Sequence, residues 1–397
     1  MCAEETGNVG NIETYISGLQ LLYFEAICHT KLIQHVKHII RKDEPKPRFG
    51  CQPGRNTYIS LGLQLDLSVF LYESVKHFSL IAPQEALQFK MHPEYKNLEI
   101  VRNNVHTYFK KGGFTKKASD ITIANLVEYK MVEPDFLNPL RNDISLVFEV
   151  VGKRCMLIGS DYFAQHCFFE SNKKWSGPDY QNYAAFISSS ISSIAHTVDE
   201  TEYRLVSLEI PKHIPNIELF DYKSQNLYAV SHLSQGTSFR LMLMLYQISY
   251  GLILVEEMIN TQSVFQDDLW CCFFTKLLAI KYDESFDNLE SILKFAKVDT
   301  EKLEKRLKED GLQIQNLKAR KFARQVRNTL HYQEILFDRK LVRNSTTREY
   351  IMAIYLSNAG LSNMNQFRDF SKCMVEEIKR LQAIIRKIIV LDKTYFL

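Results

Sequence analysis

ETYISGLQLLYFEAICHTKLIQHVKHIIR, Glu13–Arg41, is the stretch that decides the fold class. Apolar residues at 16, 19, 22, 23, 26, 27, 32, 33, 36 and 39 give the rhythm of a helix that buries one side. No Pro interrupts it. Working outward, the same texture predicts helices over Leu61–Ile81, Arg240–Ile259, Asp267–Lys281, Leu289–Phe295, Glu301–Glu309, Arg348–Leu356 and Met364–Leu391. Asp299 is a capping candidate for the Glu301 helix. Pro93 suits the first turn of another helix, which Gly112 and Gly113 should end, and a further helix is expected from Leu140 to about Gly152. Ile314 to about Tyr332 reads as one more. The expectation is a mainly α protein.

Two regions break the texture. Asp43–Arg55 holds Pro45, Pro47, Pro53 and Gly54 and reads as a loop. Residues 173–235 are rich in Ser, Asn and Tyr, carry Pro178, Pro211 and Pro215, and alternate over Tyr203–Ile210. They read as a mixed connector with one helix and a β-hairpin. The chain's 397 residues exceed one ordinary core, so the expected organisation is a helical domain over 12–172, a connector over 173–235 and a second helical domain over 236–397.

Bulk properties narrow the function classes. Formal net charge is +3, so any nucleic-acid binding must come from local patches rather than an overall basic field. Eight cysteines stand without a C-x-x-C pair, which points to reduced thiols, a cytoplasmic setting and no metal site. Met1–Gly10 is polar and acidic, unlike a signal peptide. The most apolar stretch, Leu241–Val255, contains Gln247 and Ser249; it is expected to be a core helix rather than a membrane span. P-loop, Rossmann, zincin and α/β-hydrolase motifs are missing, and no cofactor is expected.

One pattern occurs twice. Arg102-Asn103-Asn104-Val105-His106 and Arg327-Asn328-Thr329-Leu330-His331 are both Arg-Asn-x-aliphatic-His, and 327 − 102 places them 225 residues apart. On a helix, Arg and His four residues apart project from one side, so both could reach one small anion. A fixed cation beside a group that titrates near neutrality suits phosphodiester chemistry. In the second copy Arg320, Arg324, Arg327 and His331 form a stripe, and no Asp or Glu occurs between Gly311 and Gln333. Lys318, Arg320, Lys321 and Arg324 are therefore candidate RNA contacts, as are Lys110 and Lys111 after the first copy. Glu99 stands one turn before Arg102, where Arg324 stands in the second copy, so the copies are not equivalent. The acidic run Asp283–Glu290 reads as a solvated helix face.

The repeated motif resembles that of the HEPN superfamily, helical bundles whose signature is Arg, usually followed by Asn, with His about a turn later. Arg102, Asn103, His106, Arg327, Asn328 and His331 match those positions. In both copies three residues separate Arg from His, fewer than the family's usual interval; Arg324 offers a longer spacing to His331. The resemblance implies two bundles whose motifs line one cleft, and a metal-independent endoribonuclease of a defence or toxin system. RNA, a regulatory protein and a second copy of the chain would be its partners, with no membrane. Some members of that family bind RNA or proteins without catalysis, so a non-catalytic binding module is the alternative.

Overall fold

The computed structural model describes residues 4–42, 57–109, 147–150, 156–157, 177–209, 217–220, 233–259, 261–295, 299–335 and 346–389. These are mainly helical, as the periodicity predicts. Helix α1, Glu4–Lys42, is followed by α2, Thr57–Ile81, α3, Pro83–Lys90, and α4, Tyr95–Phe109. Then come strands β1, Val147–Val150, and β2, Met156–Leu157, helix α5, Gly177–Ala195, and strand β3, Ile217–Phe220. Helices α6, Gln235–Leu252, α7, Thr261–Gln266, α8, Asp268–Phe295, and α9, Thr300–Glu309, precede α10, Arg320–Asn328, α11, Thr347–Ala359, and α12, Met364–Ile388.

Helices from both halves share one hydrophobic core, from Leu21 of α1 to Ile389 beyond α12. Helix α1 packs on α2, α5, α8 and α11, so the core crosses the sequence boundary drawn at 173–235. Its side facing the second half needs Gly18: a Cβ there would meet the Tyr332 carbonyl oxygen at 2.1 Å. That close approach seats the short 3₁₀ turn Tyr332–Glu334, just past the second motif, against α1 and α2. The apolar stretch Leu241–Val255 lies in the core, and no described helix is long and apolar enough to cross a membrane.

Several local expectations need correction. Helix α8 runs unbroken through both predicted pieces, because Tyr282, Phe286, Leu289 and Ile292 continue the buried stripe across the acidic residues between them. The predicted helix from Leu140 contains a strand instead, β1, where Val147, Phe148 and Val150 favour the pleated conformation. It pairs antiparallel with β2 and β3 in the order β2-β1-β3. Tyr203–Glu209 forms no hairpin: Tyr203 closes a 3₁₀ turn, the next residues lack regular structure, and the Val206 carbonyl accepts a bond from the Trp270 indole. Asp299 does not cap its own helix; its carboxylate accepts the backbone N–H and hydroxyl of Ser234 at the start of α6. The loop Asp43–Arg55 lies outside the described residues.

A buried carboxylate joins the two motifs

The second motif is not one long helix. Ile314–Asn316 is a 3₁₀ turn, α10 ends at Asn328, and Thr329, Leu330 and His331 each donate to the carbonyl three residues back. The Thr329 hydroxyl also donates to the Val326 carbonyl, and Lys276 caps the Thr329 carbonyl at 3.1 Å. These bonds tighten the chain and stop the helix. His331 therefore leaves the line of Arg327 and turns inward toward α2.

It meets Glu73 there. Glu73 is only 1% exposed; one oxygen lies 3.2 Å from the Arg102 guanidinium and the other 3.5 Å from His331 Nδ1. Lys76 stands 3.9 Å away. The His331 contact is at ion-pair range and longer than a formed hydrogen bond. Burial pushes the Glu73 carboxyl up, but the nearby His331, Lys76 and Arg102 outweigh it and hold the group below its ordinary value. Arg102 also lies over the Tyr72 ring at 5.0 Å. One carboxylate thus holds the Arg of the first copy and the His of the second.

The remaining predicted residues divide. Arg327 donates to Asp283 at 2.7 Å. Arg320 reaches Asp287 at 2.6 Å and Glu290 at 3.3 Å, and Arg324 reaches Asp287 at 3.2 Å. The acidic run is accordingly not a solvated face: Asp283 is fully buried, and the basic stripe of α10 is laid against it. That corrects the reading of Arg320 and Arg324 as an open anion-attracting ridge. Burial raises the Asp283 carboxyl, only partly countered by Arg327, Arg320 and Arg324. Lys318, Lys321, Asn103 and Asn328 are exposed. Lys110, Lys111 and the side chain of His106 lie outside the described residues.

A second buried carboxylate lies behind the motif turn. Glu25 accepts Lys276 at 2.6 and 2.7 Å, Tyr332 at 2.6 Å and Tyr355 at 2.7 Å. With its third bond on the Thr329 carbonyl, Lys276 ties α1, α8 and the motif turn together. Sequence reading missed both Glu25 and Glu73. Their signal was a charged residue inside a strongly apolar helix, which must find a partner if buried.

Among the described residues no group of three or more His, Cys, Asp or Glu is arranged to hold a metal ion. No family model, curated protein or solved structure matches this chain.

Proposed function

We propose that this chain is a metal-independent endoribonuclease whose site is assembled from both motif copies. The observation that carries the reading is the sharing of Glu73 by Arg102 and His331. Nδ1 of His331 is directed at a carboxylate, so Nε2 on the opposite ring edge is left for a substrate. A carboxylate behind an imidazole sets its orientation, the arrangement found in many hydrolytic sites. His331 is about one-third exposed (32%), which permits contact with a bound strand.

In the reaction, His331 takes the proton of a ribose 2′-OH while that oxygen attacks the adjacent phosphorus. The 2′-O–P bond forms, the P–O5′ bond breaks, and a second acid returns a proton to the leaving 5′ oxygen; His106 is assigned that role by its place in the first copy. Arg102 and Arg327 stabilise the charge on the non-bridging oxygens, each keeping donors beyond those given to Glu73 and Asp283. Asn103 and Asn328 position the phosphate. The products carry 2′,3′-cyclic phosphate and 5′-OH ends, and DNA, without the 2′-OH, is not cut.

The pairing of Arg320, Arg324 and Arg327 with α8 leaves less free positive charge for phosphates and so favours the second reading, a helical module that binds RNA or, more readily, a protein without cutting. Incubation of the pure protein with labelled RNA in EDTA separates the two. Cleavage to cyclic-phosphate ends, reduced about a hundredfold in His331→Ala, supports the nuclease. Intact RNA, or cleavage unchanged in that variant, overturns it in favour of the binding module.

A further inference from the structure

Beneath the second motif the core is not filled. A cavity of about 70 Å³ lies between α1, α2, α6 and α8, with Leu330 of the motif in its wall. One water needs roughly 10–15 Å³ of such space, so the cavity accommodates a group of about five non-hydrogen atoms. His29, Asp66, Gln247, Tyr250, Lys281 and Glu284 line it, interleaved with aromatic and aliphatic side chains.

The polar wall is incompletely paired. Lys281 donates to Asp66 at 2.6 Å and sits over the Tyr250 ring at 4.9 Å, and the Gln247 amide donates to Glu284 at 2.5 Å. Among the described residues, Asp66 Oδ2, Gln247 Oε1, the Tyr250 hydroxyl and His29 Nδ1 have no hydrogen-bond partner. His29, Gln247 and Tyr250 are each more than nine-tenths buried. Buried polar atoms are costly unless something bonds them. Two of these four only accept; the other two can accept or donate. The charge is also unequal, because Lys281 balances Asp66 and leaves Glu284 over. Burial pushes the Glu284 carboxyl up to about 7, more than the Gln247 bond and the nearby Lys281 and Arg327 offset. The missing piece is a hydrogen-bond donor that carries a positive charge.

We propose that this chamber binds a small primary-amine cation of about five non-hydrogen atoms, its ammonium facing Asp66 and Glu284 and its carbon chain against the aromatic wall. This does not depend on the nuclease reading, since no residue lining the cavity belongs to the proposed catalytic set.

The test uses the full chain at about pH 8, where Glu284 is mostly ionised. Melting temperature and calorimetric titration are followed with n-propylammonium chloride, and with 1-propanol and sodium chloride as controls. A saturable stabilisation of about 2 °C or more by the amine alone is expected. Glu284→Gln keeps a partner for Gln247 and should weaken binding about tenfold, one charge contact being worth that much; Asp66→Asn should do the same if it folds. Equal effects of amine and alcohol, a non-saturable response, or full affinity in Glu284→Gln would each overturn the proposal and leave a chamber filled by water.

Discussion

Glu25 and Glu73 are buried alike, at 2% and 1% exposure, on two helices that pack together, yet they are held very differently. Glu25 receives four bonds of 2.6–2.7 Å from Lys276, Tyr332 and Tyr355, all of them core residues. Glu73 receives none shorter than 3.2 Å, and its neighbours Arg102, Lys76 and His331 all reach solvent. A carboxylate with every lone pair filled is a structural tie. One that is loosely held, with partners that reach solvent, can release those partners to a substrate. The difference separates a tie that holds the fold from the place where the proposed chemistry would occur.

The largest effect is expected at the tight carboxylate. Lys276→Met leaves Glu25 as an uncompensated buried charge and should cost about 3–5 kcal/mol. Urea unfolding measures it, and a loss under about 1 kcal/mol would erase the contrast. Asp283 lies between the two extremes, fully buried but facing partly exposed arginines. Asp283→Asn should cost about 2–3 kcal/mol. It should also tighten RNA binding by releasing positive charge on α10; weaker binding would show that the clamp shapes the surface rather than masking it.

Glu73→Gln should cost only about 1 kcal/mol near neutral pH, because the partners it loses can turn to water. The pH dependence has a definite sign. With its carboxyl held below the ordinary value, Glu73 adds stability above that value and loses it as pH falls through the lowered one. The gap between wild type and Glu73→Gln should therefore narrow as pH falls below the ordinary carboxylate range; a widening gap contradicts the assigned charge state. The smallest effect is expected at exposed Lys321, which belongs to neither carboxylate. Lys321→Glu should leave stability within about 0.5 kcal/mol and lower the salt slope of RNA binding by about one. An unchanged slope would place bound RNA elsewhere.

The helical class was legible because apolar residues recur every three to four positions; which side of Glu13–Arg41 is buried was not, since Ile16 is half exposed while residues 24–29 are buried without a break. The motifs were legible as patterns, and the inequality of the copies came from Glu99 and Arg324. Their partners were not, since a charged side chain does not announce what it faces: Asp283 and Glu290 have the spacing of a solvated face and are in fact matched by α10. The end of α10 at Asn328 was also hidden, because Thr329 and Leu330 are ordinary helix residues until Lys276 takes the Thr329 carbonyl. The strand at β1 was missed because its local pairing with β2 covers only two residues on each side, while its longer pairing, with β3, lies about 70 residues away.

The central claim is that the two copies form one site around Glu73, and a double-mutant cycle on RNA cleavage in EDTA tests it most directly. Arg102→Ala and His331→Ala should each lower the rate constant about a hundredfold, and the double variant should fall little further, because groups acting in one step fail together. Losses that multiply to about ten-thousandfold, or a variant at either position that cuts as well as wild type, would contradict a shared site.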